Sequence, residues 1–174
     1  METAQEEKKM EAKKGDDSIN RHQLIVFRQG AEEYAMFIDQ IKEVVITPNI
    51  TKMPQTAPYI KGVANIRGNI IAIVNLEEKF DLERTLPPDL NSSKNFTLVV
   101  ESEEFKIGLL VKEVPDTITV VDSDINDNLS VVQEGSVDKN YIQGIVKLDQ
   151  RLVILIDIFK VMSKNEVNQA LNQA

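Results

Sequence analysis

The sequence predicts an all-β fold of two lobes related by duplication, with short helical segments and a C-terminal helix. Three observations carry that prediction. The stretch from Tyr59 to Phe80, YIKGVANIRGNIIAIVNLEEKF, returns 82 residues later as YIQGIVKLDQRLVILIDIFKVM, so that Tyr59 matches Tyr141, Ile60 matches Ile142 and Gly62 matches Gly144. Each copy holds a strand, a polar turn (Arg67-Gly68-Asn69 or Asp149-Gln150-Arg151) and an apolar run, from Ile70 to Val74 or from Leu152 to Ile156. Such a run is too short for a buried helix and suits a strand covered on both faces. Upstream strings also recur, Glu32-Glu33-Tyr34 as Glu103-Glu104-Phe105 and Lys42-Glu43-Val44 as Lys112-Glu113-Val114. Two copies with unequal spacers make a duplicated domain and no solenoid.

Taken in order, residues 1–20 are mostly Glu, Lys and Asp with no apolar periodicity, the composition of a disordered charged tail. Residues 21–162 form the duplicated domain, with lobe one over 21–85, lobe two over 95–162, and strand exchange between them allowed. Leu24 to Phe27 and Glu33 to Ile38 read as a hairpin about a glycine turn. The segment from Asp39 to Val44 reads as one helical turn or a bend before a third strand through Val45 and Ile46. Pro48, Pro54 and Pro58 then exclude central pairing and make an edge or loop that leads into the first main hairpin. Pro87-Pro88 and Asn91-Ser92-Ser93 mark a mobile connector from Asp81 to Asn95. A second set follows, from Phe96 to Glu101, Phe105 to Val111 and Thr117 to Val121, with a polar loop from Asp122 to Asp138. Ser163-Lys164-Asn165-Glu166 is a capping box, so residues 163–174 form a short helix whose Val167, Ala170 and Leu171 share one face.

Composition excludes several classes of function. A formal charge of −8 repels phosphate backbones and anionic lipid. The absence of cysteine removes disulfides, thiolate catalysis and cysteine-based zinc sites. No apolar run approaches the roughly 20 residues that span a bilayer. The single histidine, His22, borders the charged tail and reads as a surface residue. Asp122-Ser123-Asp124-Ile125-Asn126-Asp127 begins like a calcium loop but carries Asp127 where glycine is needed and Gln133 where a bidentate glutamate is needed. The pairs Glu32-Glu33 and Glu103-Glu104 lie on strands whose neighbouring side chains point to opposite faces, so neither pair converges on a substrate. No metal, cofactor or catalytic residue is expected. A binding module remains by elimination.

The stretch from Tyr59 to Phe80 resembles the signature of the CheW-type chemotaxis coupling proteins, close to F-I-K-G-V-x-N-L-R-G-x-I-x-P-V-(I/V)-D-L-R-x-x-F, and the similarity runs from about Gln23 to Met162. The resemblance implies two SH3-like five-stranded barrels in a non-enzymatic adaptor. Such an adaptor joins the cytoplasmic tip of a methyl-accepting chemoreceptor to the regulatory domain of the histidine kinase CheA. It implies a cytoplasmic protein drawn to the inner face of the membrane through receptor arrays, a monomer alone and a ring with the kinase. Carried onto this chain, the resemblance puts Arg67 and Gly68 of the hairpin turn, with Ile41 and Glu43 before it and Phe96 from the second half, at a groove between the lobes that faces receptor. Lobe-end hydrophobic residues would meet the kinase. Ala72 replaces the usual proline, Asn75 the aspartate, and Glu77-Glu78 stand where basic residues are common, which predicts a surface of partly reversed charge. The alternative is an SH3- or OB-like barrel that binds nucleic acid or a small ligand, disfavoured by the acidity and by the lack of interleaved aromatic and basic residues.

Overall fold

A computed structural model of the chain describes residues 20–127 and 141–172. The expected charged tail and most of the loop up to Asp138 lie outside the described residues. The strands are β1 (Arg21–Gln29), β2 (Glu32–Phe37), β3 (Ile41–Ile46), β4 (Ile60–Ile66), β5 (Asn69–Val74), β6 (Phe96–Glu101), β7 (Lys106–Val111), β8 (Asp116–Val121), β9 (Ile125–Asn126), β10 (Ile142–Leu148) and β11 (Arg151–Ile156). The helices are α1 (Leu76–Lys79), α2 (Ile158–Val161) and α3 (Lys164–Asn172).

Two sheets form, in the orders β3-β6-β7-β5-β4 and β8-β1-β2-β11-β10-β9. Each curls into a barrel through its own chain: β3 runs on to Thr51, which bridges to Val63 of β4, and β8 runs through a 3-10 turn into β9, which pairs with β10. The lobes do not follow sequence order. The hairpin β1–β2 of the first repeat joins β11 of the second by parallel pairing, and β6–β7 of the second joins β5 of the first. The exchange is reciprocal. The strands that meet across the exchange, β5 and β7 in one sheet and β2 and β11 in the other, are largely buried, so the parallel pairing is covered on both faces.

The exchange corrects the matching of the upstream strings. Tyr34 pairs with Ile154 as Ile107 pairs with Ala72, which sets the equivalence of β2 and β7 at 73 residues. By the same register Glu43 corresponds to Asp116, not Glu113, and Glu103-Glu104 occupy the turn that Gly30-Ala31 occupy in the first repeat. The 82-residue match holds in detail. Both β4 and β10 bulge at the glycine, Gly62 or Gly144. Asn75 N donates to Tyr59 O at 2.8 Å and Asp157 N to Tyr141 O at 2.7 Å, and the two side chains cap α1 and α2 through the amides of Glu77 and Phe159. Arg67 and Asp149 both adopt positive φ, +50° and +45°.

Alternation along the strands separates three cores. Leu24, Val26, Ala35, Val146 and Val153 fill one barrel, and Ala64, Ile71, Ile73, Val99 and Leu110 the other. The opposite faces meet in the largest cluster, which includes Phe27, Met36, Val74, Leu98, Leu109 and Ile156 and fuses the lobes. An aromatic series crosses that junction, Phe27 to Tyr34 to Phe80 to Tyr141, the last pair stacked at 4.6 Å. Burial and the nearby Glu32 push the Tyr34 hydroxyl up to about 12, so it stays protonated. The capping box forms as expected, Ser163 N donating to Glu166 Oε2 at 2.7 Å and Glu166 N to Ser163 Oγ at 3.2 Å. From there α3 lays Val167 and Ala170 into the inter-lobe core.

Candidate functional site

The turn between β4 and β5 needs two residues with positive φ, and Arg67 (+50°) with Gly68 (+82°) supplies them. Gly68 N donates to the Asn65 side chain at 3.0 Å, which closes the turn. This geometry throws the Arg67 side chain outward, where it is 73% exposed, and places Nε 2.5 Å from Oε2 of Glu43 on β3. The Glu43 hydrogen bond holds the Arg67 guanidinium above its ordinary value. β3 and β4 are at opposite ends of the strand order, so the pair spans the line along which the barrel closes.

The five expected residues divide between two faces of β3. Cross-strand partners share a face. Glu43 is opposite Val99, which faces the barrel interior, whereas Val44 is opposite Leu98 and Ile46 opposite Phe96, on the inter-lobe face. A bulge between Ile41 and Glu43 resets the alternation, so Ile41 packs against the inter-lobe core although it is only two residues from Glu43. The structure therefore brings Glu43, Arg67 and Gly68 together at one end of the barrel. Ile41 and Phe96 lie on the inter-lobe face at the two ends of the β3–β6 pair, about 13 Å apart along the strands at the usual rise per residue.

Between them, Val44 is 40% and Ile46 68% exposed, an apolar margin to the inter-lobe core that the sequence reading did not single out. Its signal was there: three consecutive apolar residues, Val44-Val45-Ile46, on a strand that Pro48 marks as an edge. Ile70 and Leu152, equivalent by the 82-residue repeat, are exposed at 57% and 60% just after the two hairpin turns.

The second lobe does not repeat the Arg67–Glu43 pair. Asp149 takes the place of Arg67 and Asp116 that of Glu43, two like charges. Arg151 instead forms a bidentate pair with Glu33 of β2, at 2.9 and 2.7 Å, and that hydrogen bonding lowers the Glu33 carboxyl.

The expected reversal of surface charge is corrected. Ala72 is fully buried in the inter-lobe core, and Asn75 is 5% exposed as the cap of α1. Glu77 is 1% exposed and accepts from Gly30 N, Thr85 N, Thr85 Oγ1 and Leu86 N. Burial alone would raise its carboxyl, but the donors of Thr85, Leu86 and Gly30 overcome that and lower it. Only Glu78 is a surface carboxylate, and it pairs with Lys61 at 2.5 Å. The connector expected to be mobile is fastened at Thr85 and Leu86 by Glu77, and at Asn91 by two hydrogen bonds with the backbone of Ile50.

Among the described residues, no group of three or more His, Asp or Glu side chains could hold a metal, and no helix is long and apolar enough to cross a membrane. The exposed apolar margin and the charged pair beside it form a surface suited to protein contact.

The family model described as CheW-like domain matches residues 23–166. The chain is 30% identical to the chemotaxis protein CheW of Bacillus subtilis over 148 residues, 85% of this chain and 91% of that one. It is 27% identical to the chemotaxis protein CheW of Treponema pallidum over 150 residues, 86% and 87% of the two chains. The crystal structure of the scaffolding protein TtCheW from Thermoanaerobacter tengcongensis superposes with a TM-score of 0.71 at 28% identity, covering 85% of this chain and 92% of that chain. With its two exchanged barrels, its Asn-x-Arg-Gly turn and a family match across nearly all the described residues, the chain belongs to the CheW-like domain family.

Proposed function

We propose that this protein is a non-enzymatic chemotaxis adaptor that couples the cytoplasmic tips of methyl-accepting chemoreceptors to the regulatory domain of the histidine kinase CheA. The observation that carries this reading is the open apolar margin Ile41, Val44, Ile46 and Phe96 at the junction of the lobes, beside the Arg67–Glu43 pair. A helical receptor tip would lay an apolar stripe along that margin. Arg67, exposed and held above its ordinary value by Glu43, would give the contact its direction. Ile70 and Leu152, at equivalent lobe ends, suit contact with a kinase domain, and two related but unlike ends allow head-to-tail closure into a ring. In this role the protein is cytoplasmic and reaches the inner face of the membrane only through the receptor array.

Pull-down with purified CheA regulatory domain and with a receptor cytoplasmic fragment, each alone, tests the reading. Both should be retained by the wild-type chain. Retention of neither overturns it. Sedimentation should show a monomer alone and larger closed species with the kinase, and a stable homodimer would overturn the assembly.

A further inference from the structure

Two adjoining cavities, of about 490 and 290 Å3, lie between the start of β4 and the connector, and share Lys61, Pro88 and Leu90. Together they make one groove. It lies at the end of the barrel away from the receptor-facing candidates, since Lys61 and Arg67 are separated by the length of β4, about 20 Å at the usual rise. The groove has an apolar floor of Ile50, Leu86 and Leu90. Its wall is built before any ligand arrives. Asn91 is locked to Ile50 by 2.8 and 3.2 Å hydrogen bonds, Glu77 holds Thr85 and Leu86, and Pro87-Pro88 restricts the backbone between them.

The charges decide what fits. Three cations line the groove, Lys52, Lys61 and Arg84, in a chain whose net charge is −8. Lys52 and Arg84 are exposed and make no ion pair among the described residues. Of the carboxylates in the same groove, Glu77 and Glu78 are engaged, and Asp89 is an exposed anion against the two free cations. Glu77 is buried under four donors, Glu78 is held by Lys61, and Asp89 caps the amide of Asn91 at 3.2 Å.

We propose that this groove is a second protein-contact site, which takes an extended acidic peptide segment of a partner, with apolar side chains on Ile50 and Leu90 and carboxylates on Lys52 and Arg84. One free cation lines each cavity, Lys52 the first and Arg84 the second, which suits a segment that reaches across both. The preformed wall lowers the ordering cost on the protein's side of the contact.

Selection of random twelve-residue displayed peptides on the full-length chain, followed by fluorescence anisotropy of the winners, tests the site. The winners should be rich in Asp and Glu next to Leu or Ile, and their affinity should fall as salt rises. Reversal of both free cations, Lys52→Glu with Arg84→Glu, should weaken them about tenfold or more, while Lys52→Gln with Arg84→Gln gives a smaller loss and Arg67→Ala none. Unchanged circular dichroism and melting would establish that the variants fold, and the milder pair stands alone if the reversal does not. Winners without acidic enrichment, winners that bind both double variants as well as wild type, or winners lost on Arg67→Ala would each overturn the proposal. Because neither receptor nor kinase enters this experiment, its failure leaves the adaptor reading untouched.

Discussion

Arg67 and Glu43 meet at 2.5 Å across the closure of a barrel whose strand order places their elements at opposite ends. The guanidinium side is 73% exposed and Glu43 only 17%, so the pair shapes the surface more than it stabilises the fold. Arg67→Ala should leave the urea midpoint where it is in wild type and weaken binding of a receptor fragment. Glu43→Ala should do the same, and the double variant should lose no more than the worse single, the mark of one interacting unit. If all three bind receptor as wild type does, the pair has no part in the contact.

What the sequence made legible was what backbone geometry demands of residue type. A bulge glycine, a turn whose first residue has positive φ, and Asn or Asp capping a short helix recur at 82 residues because backbone geometry limits the residues that suit each place. The exchange of hairpins was not legible. Apolar runs such as Ile71-Ala72-Ile73-Val74 say that both faces are covered, but the choice of neighbouring strand rests on pairing between distant segments. For the same reason short Glu and Lys strings misaligned β3 with the residues just before β8, where only the ladder reveals Asp116 as the counterpart of Glu43. Glu77 read as surface charge because its donors, Gly30, Thr85 and Leu86, converge on it only in the fold. In the site, the turn residues could be read from sequence, while the face that Val44 and Ile46 present depended on a bulge that nothing in Ile41-Lys42-Glu43 announces.

The two bulge glycines are not equally replaceable. Gly62 has φ +141°, and a Cβ there would lie 2.1 Å from the backbone oxygen of Thr51, which is fixed by its bridge to Val63. At Gly144 φ is not positive, and a Cβ would meet Ile125 Cγ2 at 2.8 Å and the Asn126 backbone oxygen at 3.1 Å, a milder clash. Gly62→Ala should cost about 3–5 kcal/mol in urea unfolding, combining strain with a clash, and Gly144→Ala about 1–2 kcal/mol. Equal losses would show that the closure at Thr51 yields as readily as the contacts of Gly144.

Glu77 joins α1, the β1–β2 turn and the connector through one carboxylate. Glu77→Ala leaves four buried or half-buried donors without a partner and should cost about 2–4 kcal/mol. Its local consequence is more diagnostic: limited proteolysis should cut between residues 81 and 95 in the variant much faster than in wild type. An unchanged cleavage pattern would mean that Asn91 and the prolines hold the connector without it.

The last expectation concerns acid. Glu166 sits where α3 meets the first repeat, accepting from the Ser163 amide, the Tyr59 hydroxyl and Lys79 Nζ, with Lys79 also 4.1 Å above the Tyr59 ring. Burial would raise its carboxyl, but the Ser163 amide, the Tyr59 hydroxyl and Lys79 together bring it down to about 2. Because the folded value is below that of the unfolded chain, the stabilisation is present above about pH 4.5 and is lost as pH falls toward about 2. At roughly 30% exposure the contribution is of the order of 2 kcal/mol. Glu166→Gln should lower stability at pH 7 by about that amount, flatten its dependence on pH between about 4.5 and 2, and speed hydrogen exchange in α3 before the strands. Glu77 titrates in the same direction, so Glu77→Gln is the necessary comparison: it should flatten the acid limb without loosening α3. If instead Glu166→Gln leaves both the acid limb and the exchange of α3 unchanged, Val167 and Ala170 alone hold the helix against the inter-lobe core.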